Sequence, residues 1–293
     1  MYKRRWGDRR DGRWVREMKG LNTILGHLLP NRTDCEVFLN EKLDATELVN
    51  YLEQKRLDNP DIRLTLFHCF VTAFARMVNE RPLMNRFVQG RRTYERYETS
   101  LAFVAKRQFS EKAEESLMFL IPKSTDTVTD IAKKIVGDVK DIREKGNETG
   151  GIDNIVDALA KLPRPILMFI IKIIRIMDYW GINPRFLTDG DPNYASVFIT
   201  NLGSIKCPAV YHHLNNYGTN SIMVAIGTLH DEELVMPDGH KEIRKVVEIG
   251  ATLDERIADG FYFARSLKLV KHILSHPELL DVPLNVNSGF AYE

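Results

Sequence analysis

Apolar positions recur at helical spacing in several stretches of the chain and collapse into short continuous or alternating runs in others. Between residues 64 and 78 they fall at 64, 67, 71, 74 and 78, which predicts an amphipathic helix. Asp44 followed by Glu47, with Leu48, Tyr51 and Leu52 on one face, reads as a capped helix start. A further helix is expected over 126–144, where Val128, Ile131, Ile135, Val139 and Ile142 share a face. Phe263, Leu267, Val270 and Leu274 predict a last one. Strand signals lie at 35–39, in four β-prone runs between 86 and 121, and at Val197-Phe198-Ile199. The run 221–227 is almost continuously apolar and predicts a strand buried on both faces. A hairpin-like turn at 235–239 precedes a strand at 245–249. Asn59-Pro60 and the polar stretch 146–151 are breaks. The whole reads as an α/β chain.

The most hydrophobic segment runs from Pro165 to Trp180. It is shorter than the roughly 20 apolar residues a spanning helix needs, and Lys172, Arg175 and Asp178 interrupt it. A core or subunit-interface helix is expected. The alternative is a helix lying on a membrane surface beside the basic N-terminus, which makes peripheral membrane contact the lesser expectation.

The 293 residues are 44% hydrophobic and 28% charged, enough for one large domain with a sizeable core. Residues 1–20 stand apart: eight basic residues against three acidic, with Trp6 and Trp14 interleaved. They read as an N-terminal arm that docks on the body or on a neighbour, followed by a single domain over 21–293. A patch for an anionic membrane, a nucleic acid or cofactor phosphates is the sharper reading of the same arm. The net charge of +1 gives no case for nucleic acid as a partner. Three cysteines, Cys35, Cys69 and Cys207, lie far apart with no Cys-x-x-Cys, the usage of a reduced cytoplasmic protein without disulfides or zinc. The basic N-terminus lacks a following apolar core of signal-peptide type.

Candidate chemistry concentrates where the strand at 245–250 hands over to the last helix, at Asp254-Glu255-Arg256-Ile257-Ala258-Asp259-Gly260. The plain alternative is a solvated helix start with acids near the positive dipole end. His68 and Cys69 lie on the 64–78 helix and read as packed core residues. His212 and His213 sit in a loop after the 197–199 strand; adjacent histidines diverge and no third ligand is spaced nearby, so no metal is expected there.

The cluster resembles the Asp-His-Arg-x-x-Asp-Gly motif of the dihydrolipoyl acyltransferases of 2-oxoacid dehydrogenase complexes, related to chloramphenicol acetyltransferase. Asp254, Arg256, Asp259 and Gly260 match, and Glu255 stands at the position of the catalytic histidine. Residues 198–203 (Phe-Ile-Thr-Asn-Leu-Gly) resemble the family's Thr-Ile-Ser-Asn-Leu-Gly strand. Residues 221–227 and the tail His276-Pro277-Glu278-Leu279-Leu280 are similar to two later family segments, in the same order. The resemblance implies a mixed β-sheet covered by helices, of chloramphenicol acetyltransferase type, assembled as a homotrimer with active sites between subunits. It implies acyl-CoA as cosubstrate, a small thiol or hydroxyl acceptor and no metal. No lipoyl-type domain or Ala/Pro-rich linker is found, which suggests a free-standing relative.

In the family the histidine takes a proton from the acceptor, and a serine or threonine of the neighbouring subunit stabilises the oxyanion. By resemblance that hydroxyl is Thr200; its plain reading is a strand threonine packing its methyl group. Asp259 is implied to be structural, and Gly260 to permit tight strand-to-helix packing. A carboxylate of ordinary pKa about 4.3 facing a thiol near 8.5 makes proton transfer uphill by roughly 5–6 kcal/mol. Three readings follow. Glu255 is a base tuned by burial; His212 or His213 supplies the base; or the site is inactive and the chain is a trimeric scaffold or regulator.

Overall fold

The structure is a computed structural model and describes residues 3–58, 60, 62–106, 115–145 and 158–292. The expected polar break at 146–151 lies outside the described residues. Among the described residues ten strands form two sheets. The smaller is antiparallel, in the order β1 (Gly12–Trp14), β4 (Arg92–Arg96), β3 (Arg86–Gln89). The larger is mixed, ordered β2 (Glu36–Asp44), β10 (Lys241–Asp254), β8 (Ile222–Ile226), β7 (Val197–Asn201), β5 (Leu101–Lys106), β6 (Glu115–Leu120), with β9 (His230–Val235) paired to the start of β10. β7 runs parallel to both β5 and β8, and the other pairings are antiparallel.

The period-2 alternation of β7, β8 and β10 explains the layering. Ile199, Val224, Ala251 and Leu253 point to one face, where they meet α3 (Leu66–Glu80) and α6 (Gly260–Ser275), with α2 (Thr46–Asp58) and α4 (Val128–Lys145) beside them. This is the hydrophobic core. Thr200, Ala225, Gly250 and Thr252 point to the opposite face. Two strands outrun their sequence signals. β2 continues to Asp44, whose carboxylate then accepts from Thr46 N (3.0 Å), so the helix starts after it. β10 has 14 residues, because its polar first half, Lys241 to Lys245, pairs with the equally polar β9.

The segment 165–180 forms a helix, α5 (Arg164–Trp180), but not a core helix. Only Ile174 and Asp178 are fully buried, Leu167, Ile170 and Met177 are half-buried beside them, and the other residues are exposed. Asp178 is its anchor, held by Arg9 (3.1 Å) and Asn183 (3.0 Å). Apolar content in sequence does not tell a helix inside the core from one lying outside it.

His68 and Cys69 are buried on α3. Thr65 and His68 form a reciprocal helix cap, with Thr65 N donating to His68 Nδ1 (3.2 Å). Burial pushes the imidazole down to about 4. The unfolded chain therefore binds a proton between about pH 6.5 and 4 that the folded chain refuses. Stability is complete above that window and falls as pH drops through it, by about 3 kcal/mol in all. Urea unfolding at pH 7.5 and 4.5 should show most of that loss, and H68Q should remove it. Equal acid losses in the two proteins would contradict the assignment.

Candidate active site

β10 ends at Asp254, and the chain turns through 255–259 into α6. The turn is held from inside. Asp254 is fully buried and receives Arg256 Nε (2.8 Å) and Nη2 (2.6 Å), a bidentate pair. Arg256 also donates to the Leu29 carbonyl (2.8 Å), and Arg32 approaches the same carboxylate (3.6 Å). Burial disfavours the charge on Arg256, yet the hydrogen-bonded Asp254 outweighs it and holds the guanidinium above its ordinary value. Arg32, more deeply buried and facing Arg256 as well, is pushed down to about 10. Its cation is spread over the carbonyls of Val88 (3.0 Å), Asn215 (2.5 Å) and Gly218 (3.2 Å).

Glu255 is fixed by its backbone, N to the Cys35 carbonyl (2.9 Å), while its side chain is exposed. Between Ala251 and Ile257 it is the one exposed side chain. The chain by itself supplies no burial around this carboxylate. Burial lifts the neighbouring Cys35 thiol to about 11, so it stays protonated at neutral pH. Asp259 caps α6, accepting from Tyr262 N (2.8 Å). The tight packing expected at Gly260 is absent: a Cβ there would meet nothing within 4 Å, because the helix leaves the turn toward open space.

Thr200 lies half-buried near the end of β7. It is level with Ala225 on β8, which is level with Gly250 on β10. Glu255 is five residues further along β10, so about 17 Å along the sheet and two strand spacings across separate it from Thr200. One chain does not bring the two together.

The loop with His212 and His213 lies on the same face of the sheet as Thr200. Glycines make room for it: a Cβ at Gly227 would lie 2.6 Å from Ala209 N, and one at Gly250 would lie 2.5 Å from the Val210 carbonyl oxygen. Tyr211 packs on Phe38 (5.2 Å between rings), and Leu214 N donates to the Glu36 carboxylate. With Val210 at Gly250 and Leu214 at Glu36, which pairs with Asp254, the loop runs over β10 between Gly250 and Asp254. His212 Nε2 and Thr252 Oγ1 are both buried without a hydrogen-bond partner. His213 is exposed. On the opposite, helix-covered face of the sheet, a cleft of about 450 Å3 opens between Asn201 and the end of β8 on one side and the helices α2 and α3 on the other. Asn201, Ser204, Arg56 and Phe67 are among its lining residues.

Comparison with known proteins places these elements. Residues 186–282 match the family model of the 2-oxoacid dehydrogenases acyltransferase catalytic domain. No curated protein matches. Among solved structures, a probable dihydrolipoamide acetyltransferase from Listeria monocytogenes superposes with TM-score 0.58 at 14% identity, over 94% of this chain and 97% of that one. The cubic core of the pyruvate dehydrogenase multienzyme complex gives TM-score 0.60 at 13% identity, over 89% and 88%. The dihydrolipoamide acetyltransferase of Azotobacter vinelandii gives 0.59 at 13%, over 91% and 94%. The chain shares the fold of these acetyltransferases, and its residues 186–282 carry the match to the acyltransferase family model. For the Azotobacter vinelandii enzyme, one serine, one histidine and one asparagine four positions after it are described as having roles in the catalytic mechanism.

The matched region contains Thr200, the histidine loop and the 254–260 turn. The sequence reading did not find Arg32. No local pattern marks an arginine 222 residues before the carboxylate it serves. Nor did it find Glu36, whose part in seating the histidine loop depends on the pairing of β2 with β10.

Among the described residues no group of histidine, cysteine and acidic side chains has the arrangement of a metal site. No described helix is long and apolar enough to cross a membrane.

Proposed function

We propose that the protein is an acyltransferase that moves an acyl group from coenzyme A to a small thiol or hydroxyl acceptor, at sites formed between subunits of a homotrimer. The observation that carries this reading is the turn at 254–259. Asp254 and Arg256 are buried as a pair, Asp259 caps the next helix, and Glu255 alone is turned outward at the position matching the family histidine. A residue set rigidly and aimed away from its own chain fits a partner that completes the site. Thr200 of the adjacent subunit is that partner. Its hydroxyl would donate to the oxyanion as the acceptor attacks the thioester carbonyl. Glu255, desolvated by the neighbour, would take the acceptor's proton and return it to the coenzyme A thiolate as the thioester C–S bond of the tetrahedral intermediate breaks. The three roles described for the Azotobacter vinelandii enzyme support this reading, since Glu255 and Asp259 keep the four-residue interval of its histidine and asparagine.

The cleft on the helix side of the sheet, next to Asn201, has the size of a small-molecule site and would admit the pantetheine arm, with Arg56 at hand for the phosphates. One observation favours a second reading of the base. The unpartnered, buried Nε2 of His212 lies on the Thr200 side of the sheet, and a histidine suits thiol deprotonation better than a carboxylate does. In that case H212A loses turnover and E255Q keeps it.

Calorimetric titration with coenzyme A and acetyl-CoA tests the reading first. Micromolar binding that weakens about tenfold in R56A is expected. No detectable binding of either ligand would favour the inactive scaffold instead. The protein is placed in the cytoplasm on its cysteine usage.

A further inference from the structure

Helix α5 presents an apolar stripe that its own chain leaves uncovered. Ile166, Phe169, Ile173, Ile176 and Trp180 follow at intervals of three and four residues and so share one side. All five are exposed, Phe169 at 64% and Trp180 at 67%. The buried Ile174 and Asp178 define a different side, the one that meets the body of the protein. Arg164, Lys172 and Arg175 occupy the third side. Beyond the helix ends, Lys161 and Arg185 add two more exposed cations. None of these five cations makes an ion pair among the described residues, and the only acid between 158 and 188 is the buried Asp178. Trp6, 85% exposed, lines the same surface cleft as Tyr179, Trp180 and Ile182, with Arg4 beside it.

We propose that α5 and the adjoining Trp6 edge are a docking surface for an anionic lipid bilayer. The helix is about 25 Å long, too short and too charged to span, and suited to lie in the interface. Its apolar stripe would enter the acyl boundary, the flanking cations would meet anionic headgroups, and Trp6 and Trp180 would sit at headgroup level. A second copy of the chain is the poorer occupant. A two-fold contact along the stripe would set the cations of one copy near those of the other, and a head-to-tail contact of the trimer kind would have to bring carboxylates from elsewhere, because the segment offers none that is exposed. The surface is separate from the Thr200 and Glu255 elements, so the proposal stands or falls apart from the acyltransferase reading.

The test is co-sedimentation of the full chain with vesicles of phosphatidylcholine and phosphatidylserine (7:3), with pure phosphatidylcholine as the control. The wild type should pellet with the mixed vesicles and be released by 0.5 M salt. K172Q/R175Q should reduce partitioning roughly 30-fold, from the loss of two headgroup cations. F169E/I173E should abolish it while thermal unfolding stays unchanged, as both positions are exposed. Failure of the wild type to pellet with anionic vesicles would overturn the proposal. So would pelleting that neither variant weakens. Loss of oligomers in F169E/I173E, with no vesicle binding by the wild type, would overturn it in favour of a subunit interface.

Discussion

Replacing Asp254 by alanine should destabilise the folded protein by roughly 3–5 kcal/mol, a drop of at least about 6 °C in the unfolding midpoint. Asp254 is fully buried and, among the described residues, is the carboxylate that forms ion pairs with both Arg256 and Arg32. Removing it leaves two buried guanidinium groups facing each other without a counter-charge, which is where breaking a buried pair is most damaging. Arg32 is already held down to about 10 by its burial, with Asp254 the main opposing influence. The loss should exceed that of Asp259→Ala, which removes one exposed helix cap, about 1 kcal/mol. Differential scanning calorimetry decides it. A change in D254A below about 1 kcal/mol would mean that the carboxylate does not hold the turn.

The second large effect is on turnover. On the proposed mechanism T200A removes one oxyanion donor and should lower kcat by about 10²–10³ with little change in fold. E255Q keeps the shape and hydrogen-bonding reach of the side chain but cannot accept a proton, and should lower kcat by about 10²–10⁴. Release of coenzyme A, followed with a thiol reagent, measures both. The Glu255 carboxylate is exposed in the single chain, so the proposed base needs a neighbouring subunit to desolvate it. E255Q with full activity would remove Glu255 from the mechanism, and loss in H212A would then move the base to the loop.

The parts of the fold that were legible in the sequence are those set by local periodicity. The 64–78 spacing became α3, the 221–227 run became β8, and the motif at 254–260 lies where a strand passes into a helix. What was not legible depends on pairings distant in sequence. The polar start of β10 is a strand only because β9 runs beside it, and Arg32 matters only because β2 brings the chain before it to Asp254. The helix at 164–180 was legible as a helix, but its position was not. An apolar stripe reads the same whether it faces a core, a second chain or a membrane. At the site, the roles of Asp254 and Arg256 follow from burial, which composition does not show. The outward aim of Glu255 follows from the turn that those two residues hold.

The central claim is that Thr200 and Glu255 meet only across a subunit boundary. Mixing T200A and E255Q subunits tests it most directly. Each variant alone should be nearly inactive. Random reassembly of equal amounts into trimers should restore about a quarter of wild-type activity, because one site in four joins an intact Thr200 to an intact Glu255. Mixed assemblies, verified by mass, that stay as inactive as the separate variants would contradict the claim.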